Sequence, residues 1–323
     1  MQASAILGLR AVAPIHAGSD DARGVVDLPI QREKHNNWPV VFASSVKGAL
    51  REACTRQRTT AENGAGDGAM DVAALFGRAD QSDQPALPDQ PALPDQPNQA
   101  KPGMQAGALL VSDMQLLALP VASLDAAFRW VTCPSALARL VRTWARFRIG
   151  VSCPPVPELL LPNGALHFSA SLPEQKDIFL REYLFKAQRS DATMLLWLDL
   201  LAALFGTHTT HDELSKRLLI ISDQRFGFLA DSATSVAPHI KLNENKTTQD
   251  TALFYEETLP PETLMFLPLA CEDERKSEAP QAGAQLLAQL LGRFPNQQGF
   301  LRVGGNETTG MGWFEVHVCK GQP

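Results

Sequence analysis

HAGSDDARGVVDLPIQREKHNNWPVVFASSVKGALR, from His16 to Arg51, is the stretch around which the rest of the 323-residue chain is organised. A turn over Ala17–Asp21 leads into an uncharged Gly-Val-Val and then a single carboxylate, Asp27, on a backbone restrained by Pro29. A carboxylate displayed at a loop edge suits coordination of a divalent cation or proton abstraction near a ribose hydroxyl. On residue type alone it reads first as a turn cap. After a mixed-charge loop and Pro-Val-Val, a helix is expected to begin at Ser44 or Ser45, both good N-caps. Its spacing puts Val46, Leu50 and Cys54 on one apolar face. Lys47 and Arg51, four apart, project from one side of the first turns, beside backbone N–H groups that favour an anion. That arrangement suits a phosphate diester.

This stretch is answered near the C-terminus by VGGNETTGMGW, Val303 to Trp313. Gly304, Gly305, Gly310 and Gly312 permit positive φ and close approach of backbone to a ligand, or simply a tight turn. No Gly-Lys-Ser/Thr follows, and no G-x-G-x-x-G opens a helix after a strand, so neither phosphate-loop nor dinucleotide chemistry is indicated. His208 and His211 lie across an expected helix boundary at Gly206–Thr207, a poor start for a zinc site. No Ser/His/Asp arrangement stands out. Cys54, Cys133, Cys153, Cys271 and Cys319 are odd in number and scattered, with no C-x-x-C pair, and read as small buried residues.

The chain is 45% hydrophobic and 20% charged, enough for a sizeable core. Net charge of −6 argues against binding nucleic acid by overall charge. Locally the balance reverses: between Arg23 and Arg58 seven Lys/Arg stand against Asp27, Glu33 and Glu52, an excess of +4. No apolar run is long enough to cross a bilayer and the first residues do not read as a signal peptide, so a cytoplasmic location is expected.

Residues 3–12 read as a first strand. A short helix is expected near Met70–Phe76, followed by a tandem DQPALP repeat at Asp83–Pro94, inside a Pro-rich insertion over 79–103 expected to be a flexible spacer. Three β-like runs follow between Ala106 and Val131. A helix over Ser135–Phe147 carries Arg139, Arg142 and Arg146 as a basic stripe, either a solvated face or a path for phosphates. An apolar helix over Ala192–Phe205 ends at Gly206. LLIISD and FGFLA read as a strand pair, and residues 236–260 as a long hairpin around a polar turn. Strand LMFLPLAC, helix AQLLAQLLGRF, strand FLRV, the glycine loop and strand WFEVHVC close the chain. The pattern fits an α+β fold with helices on one face of a sheet.

GVVDLPIQREKH with WPVVFASSVKGALR resembles the N-terminal signature of the RAMP superfamily, specifically the repeated backbone subunit of type III-B (Cmr) CRISPR effector complexes. GGNETTGMG is similar to that family's C-terminal loop. SDMQLLALPVASL, WVTCP and LFYEETLP resemble further family segments in the same order. Two places depart from the pattern: Asn36-Asn37 stands where the family has Thr-Gly, and Phe42-Ala43 where a glycine precedes Ser-Ser.

The resemblance implies a single domain over 1–323 with an RRM-like (ferredoxin-like) core, large insertions and a thumb-like hairpin at 236–260. It implies an antiviral-defence protein that binds crRNA guide, assembles with copies of itself into a helical filament and with other Cmr subunits, and cleaves paired target RNA. Cuts would fall at six-nucleotide intervals with Mg2+ or Mn2+. Asp27 would carry the cut and the metal, with His16, Glu256 and Glu257 nearby. Ser44, Ser45, Lys47, Arg51, Gly304, Gly305, Asn306, Gly310 and Gly312 would contact RNA. The alternatives are a filament subunit that binds guide without cutting, and a stand-alone guide-processing endoribonuclease.

Overall fold

The structure, a computed structural model, describes residues 3–19, 22–61, 71–78, 105–150, 153–159, 161–242, 244–245, 248–275 and 280–321. The DQPALP repeat and the whole of the 79–103 insertion lie outside them. In chain order the elements are β1 (Ala3–Ala11), β2 (Val40–Val41), α1 (Ala43–Ala61), α2 (Val72–Phe76), β3 (Gly77–Arg78), β4 (Gln105–Ala106), β5 (Leu109–Val111), β6 (Met114–Val121), β7 (Arg129–Thr132) and α3 (Pro134–Arg146). They continue with β8 (Gly164–His167), β9 (Gln175–Leu180), β10 (Tyr183–Arg189), α4 (Ala192–Phe205), α5 (His211–Arg217), β11 (Leu218–Ile221) and α6 (Asp223–Ser232). The last are β12 (Ser235–Leu242), β13 (Thr248–Thr258), β14 (Leu264–Cys271), α7 (Gly283–Leu291), β15 (Gln298–Arg302) and β16 (Trp313–Lys320).

Among the described residues one mixed sheet runs β15-β16-β1-β14-β6-β7-β11-β8-β10-β9. Its first half is antiparallel: β1 lies between β14 and β16, and β6 pairs with β14. The register of β1, Leu7 opposite both Leu267 and Val318, is set by apolar side chains on both faces.

Those two faces correct the expectation of helices on one side. Ala5, Leu7 and Leu9 join a core with Val46, Leu50 and Cys54 of α1 and Leu286 and Leu290 of α7. Ile6, Phe266 and Cys319 belong instead to a second core beneath α3 and α4. Gly8 shows how close the second layer sits: a β-carbon there would lie 2.1 Å from the carbonyl oxygen of Leu204 on α4. α4 is apolar around much of its circumference, so it buries a second sheet face.

Two local expectations also change. FGFLA is not a strand: Ser222 caps Arg225 N–H and the segment is helical as α6, with Phe226, Leu229 and Ala230 buried. The i, i+3, i+4 spacing outweighs the β-leaning residue types. α1 begins at Ala43, ahead of the two serines, with the Ala43 N–H donated to Asp113 at 2.7 Å. The segment expected as a hairpin pairs β12 with β13.

Candidate functional site

The loop between β1 and α1 is laid against the end of the β12–β13 hairpin. Ile15 exchanges backbone hydrogen bonds with Leu259, and Leu28 bridges Glu256 in parallel. The N–H groups of Asp27 and Leu28 both donate to Tyr255 O, at 3.1 and 3.0 Å, and Asp27 Oδ2 accepts the Tyr255 N–H at 2.8 Å. Asp27 is exposed. One carboxylate oxygen anchors the loop, and the other carries no hydrogen bond from the described residues.

The adjacent glutamates face different surroundings. Glu257 is buried and accepts from Arg32 Nη2 at 2.5 Å, Thr234 Oγ1 at 2.7 Å and Ile30 N–H at 3.1 Å. Arg32 also donates to Asn37 O and Ala230 O, so the pair ties the loop to α6 and the hairpin. Glu256, equally buried, meets His16, His239 and Asn306. His239 lies on β12, stacked on Phe254, and the motifs alone did not single it out. A histidine diagonal to a glutamate across a hairpin is a signal visible only once the register is known.

Next to this cluster a groove of about 360 Å³ runs between α1 and the glycine loop, lined by Ser44, Ser45, Gly48, Gln31, Gly304 and Gly305 among others. Gly304 is at φ +102°, and a β-carbon there would come within 2.5 Å of His16 O, which also accepts the Gly305 N–H at 2.8 Å. Gln31 was missed by sequence reading. Its amide donates to Gly18 O and Ser45 Oγ and its oxygen accepts the Phe42 N–H, fixing the groove wall. The structure thus joins the serines to Gly304 and Gly305, and Asn306 to Glu256. Lys47 and Arg51 lie on α1 outside the lining, and Gly310 and Gly312 shape the far end of the loop. The cation at the groove is Arg302, paired with Glu307 and 5.3 Å from the Trp313 ring.

The sequence profile described as "RAMP superfamily" matches residues 9–315, nearly the whole of this sheet and its loops. The chain belongs to the RAMP superfamily. A curated relative from Pyrococcus furiosus, "CRISPR system Cmr endoribonuclease Cmr4", is 28% identical over 313 residues, 96% of this chain and 94% of the relative. Among solved structures, oligomeric Cmr4 from Pyrococcus furiosus superposes with a TM-score of 0.68 at 22% identity, over 100% of both chains. A chain of the type III-B Cmr-beta complex bound to cognate target RNA gives 0.63 at 15% identity, over 98% of this chain and 97% of that one.

Asn37, where the resemblance implies a glycine, holds φ +61°, a conformation asparagine tolerates. The arginine stripe is not a uniform solvated face. Arg139 makes a two-pronged pair with Glu33 at 2.8 and 2.7 Å and lies 4.9 Å from the Trp38 ring. Arg142 is exposed on the lip of a second groove of about 550 Å³, and Arg146 lies 5.8 Å from the Phe147 ring.

No group of three or more His, Cys, Asp or Glu able to hold a metal exists among the described residues. Asp27 offers one carboxylate oxygen, a donor set that fits a hard cation keeping several waters and completing its shell with phosphate oxygens. No helix among the described residues is long and apolar enough to cross a membrane.

Proposed function

We propose that this chain is a guide-binding backbone subunit of a type III-B CRISPR complex, repeated head to tail, that cuts paired target RNA at six-nucleotide intervals. The observation that carries it is the convergence on one strand, β13, of the Asp27 loop at Tyr255 and the glycine loop at Glu256. The strand order β16-β1-β14-β6, with α1 following β1 and α7 following β14, supports an RRM-like core. The names of the relatives, an endoribonuclease and a complex bound to target RNA, support the substrate class.

In this reading the guide backbone follows the groove at Ser44, Ser45, Gly304 and Gly305. The hairpin shows an exposed apolar face of Val236, Ile240, Leu253 and Tyr255 that wedges between base pairs and splays out a target nucleotide. Freed from the stack, the 2′-hydroxyl aligns with its own phosphate. The 2′-oxygen forms a bond to phosphorus as the bond to the 5′-oxygen breaks, leaving a cyclic phosphate and a 5′-hydroxyl. Asp27, exposed beside Tyr255, takes the 2′-hydroxyl proton, and the leaving oxygen gains one from water. Were Mg2+ or Mn2+ to bind, Asp27 would hold it instead of acting as the base, and the ion would supply neutralisation of phosphate charge.

The test is cleavage of labelled target RNA by the reconstituted complex with magnesium or manganese, comparing the parent with Asp27→Ala. Regular six-nucleotide cuts that vanish in the variant support the reading. Bound but uncut target in both leaves a guide-holding subunit, and cleavage of free repeat RNA without target turns the reading toward guide processing.

A further inference from the structure

Glu256 is 3% exposed, and its partners among the described residues include no lysine or arginine. A buried carboxylate without compensating donors is costly, so whatever faces it is chosen for that purpose. Three side chains from three elements do. His16 Nδ1 lies 2.8 Å from Glu257 O and 3.4 Å from Glu256 Oε1. His239 Nε2 lies 3.0 Å from Glu256 Oε2, and the Asn306 amide donates to Oε1. A carbonyl only accepts, so the hydrogen bond to Glu257 O puts a hydrogen on His16 Nδ1, while His239 Nε2 stands at ion-pair distance from Glu256 Oε2.

The three elements are the turn after β1, the outer strand of the hairpin and the glycine loop. Asn306, at φ +60°, stands between Gly304–Gly305 and Gly310–Gly312, where its side chain orients the loop. Glu256 follows Tyr255, whose backbone anchors Asp27. Of the two histidines, His239 makes the shorter contact with the carboxylate, and its side chain, 37% exposed and stacked 5.2 Å from Phe254, reaches it from the solvent side.

We propose that His239 is a positioning residue: through Glu256 it locks the hairpin to Asn306, so that the strand holding Asp27 is registered against the loop that holds the guide. Its side-chain contacts among the described residues are with Glu256 and Phe254. The inference rests on the cleavage reading above and adds to it a residue which that reading does not need for binding.

Two measurements test it. In the assembled complex, single-turnover cutting at saturating target should fall about ten-fold to a hundred-fold in His239→Ala with target affinity unchanged, the loss expected of a misplaced reacting group. His239→Gln, whose amide nitrogen can take the place of Nε2 beside the carboxylate, should recover most of the rate, and His239→Phe, which keeps the ring stack without that nitrogen, should not. Equal cutting by His239→Ala and parent, or affinity and rate falling together in all three variants, overturns the proposal. The second measurement needs no cutting: ring-nitrogen NMR of the full chain should show His239 Nε2 bearing hydrogen, its signal displaced by Glu256→Ala. If the parent does not cut, the cleavage reading falls and the NMR result alone decides the bond; an unmoved Nε2 signal overturns it.

Discussion

Asp27 and Tyr255 bind each other twice, the Tyr255 N–H entering the Asp27 carboxylate at 2.8 Å and the Asp27 N–H reaching Tyr255 O at 3.1 Å. The side chain is therefore both loop anchor and exposed carboxylate, and substitutions can separate the two roles. Asparagine keeps an acceptor and loses the charge. Asp27→Asn should abolish target cutting while leaving RNA binding and thermal unfolding close to parent. Asp27→Ala should lose cutting and also about 1 kcal/mol of stability, the usual worth of such a bond. Cutting by Asp27→Asn at the parental rate would remove Asp27 from the chemistry.

Glu257 should behave in the opposite way. It is matched to Arg32, whose side chain is 6% exposed, so Glu257→Ala strands a buried guanidinium. The expected loss is about 3–5 kcal/mol in urea unfolding. A variant as stable as the parent would show that the Arg32 pair adds nothing.

How far these roles were legible in the sequence follows from what fixes each one. Asp27, the serines and the glycines sit in local motifs, and of these the structure brings Ser44 and Ser45 together with Gly304 and Gly305 along one groove. Which of Glu256 and Glu257 faces the glycine loop depends on the register of β12 against β13, and no local pattern encodes that. The same holds for Arg139, whose partner Glu33 is 106 residues away. The second helical layer was hidden because Ile6 and Gly8 sit within a strand that is buried on both faces, where alternation disappears. FGFLA misled because aromatic residues lean toward strands while its spacing favours a helix.

Gly304 and Gly310 share positive φ, yet their surroundings differ. A β-carbon at Gly304 would collide with His16 O, whereas nothing lies within 4 Å of one at Gly310. Gly310→Ala should cost about 1–2 kcal/mol, the left-handed backbone penalty alone. Gly304→Ala should cost more and also weaken guide RNA affinity by displacing the loop from the groove. Equal affinities for the two variants in filter binding would place the guide elsewhere.

Arg139 and Arg142 are three apart on α3 and should fail differently. Arg139 is committed to Glu33 and Trp38, so Arg139→Ala should lower the unfolding temperature with little change in the salt dependence of RNA binding. If α3 tracks phosphates, Arg142→Ala should leave unfolding unchanged and reduce the slope of log affinity against log salt by about 1. An unchanged slope would leave α3 as a solvated surface.

Asp125 provides a test in acid. Burial alone would raise its pKa, but hydrogen bonds from Arg129, Lys176 and Ser123 outweigh it and hold the carboxyl well below the usual range. Arg129 donates to both carboxylate oxygens, at 3.2 and 2.6 Å, and its side chain is 4% exposed. Because the folded state prefers the ionised form, the stabilisation is complete above the pKa of the unfolded aspartate and fades as pH falls toward the folded value. Because Asp125 itself faces solvent, which screens the pair, Asp125→Asn should cost about 1–2 kcal/mol at neutral pH. The gap between parent and variant should stay constant down to about pH 5, where unfolded aspartate begins to take up protons, and narrow below it. Chemical unfolding of both proteins at a series of pH values measures this, and a gap that closes between pH 7 and 5 would mean that another group, and not Asp125, sets the acid response.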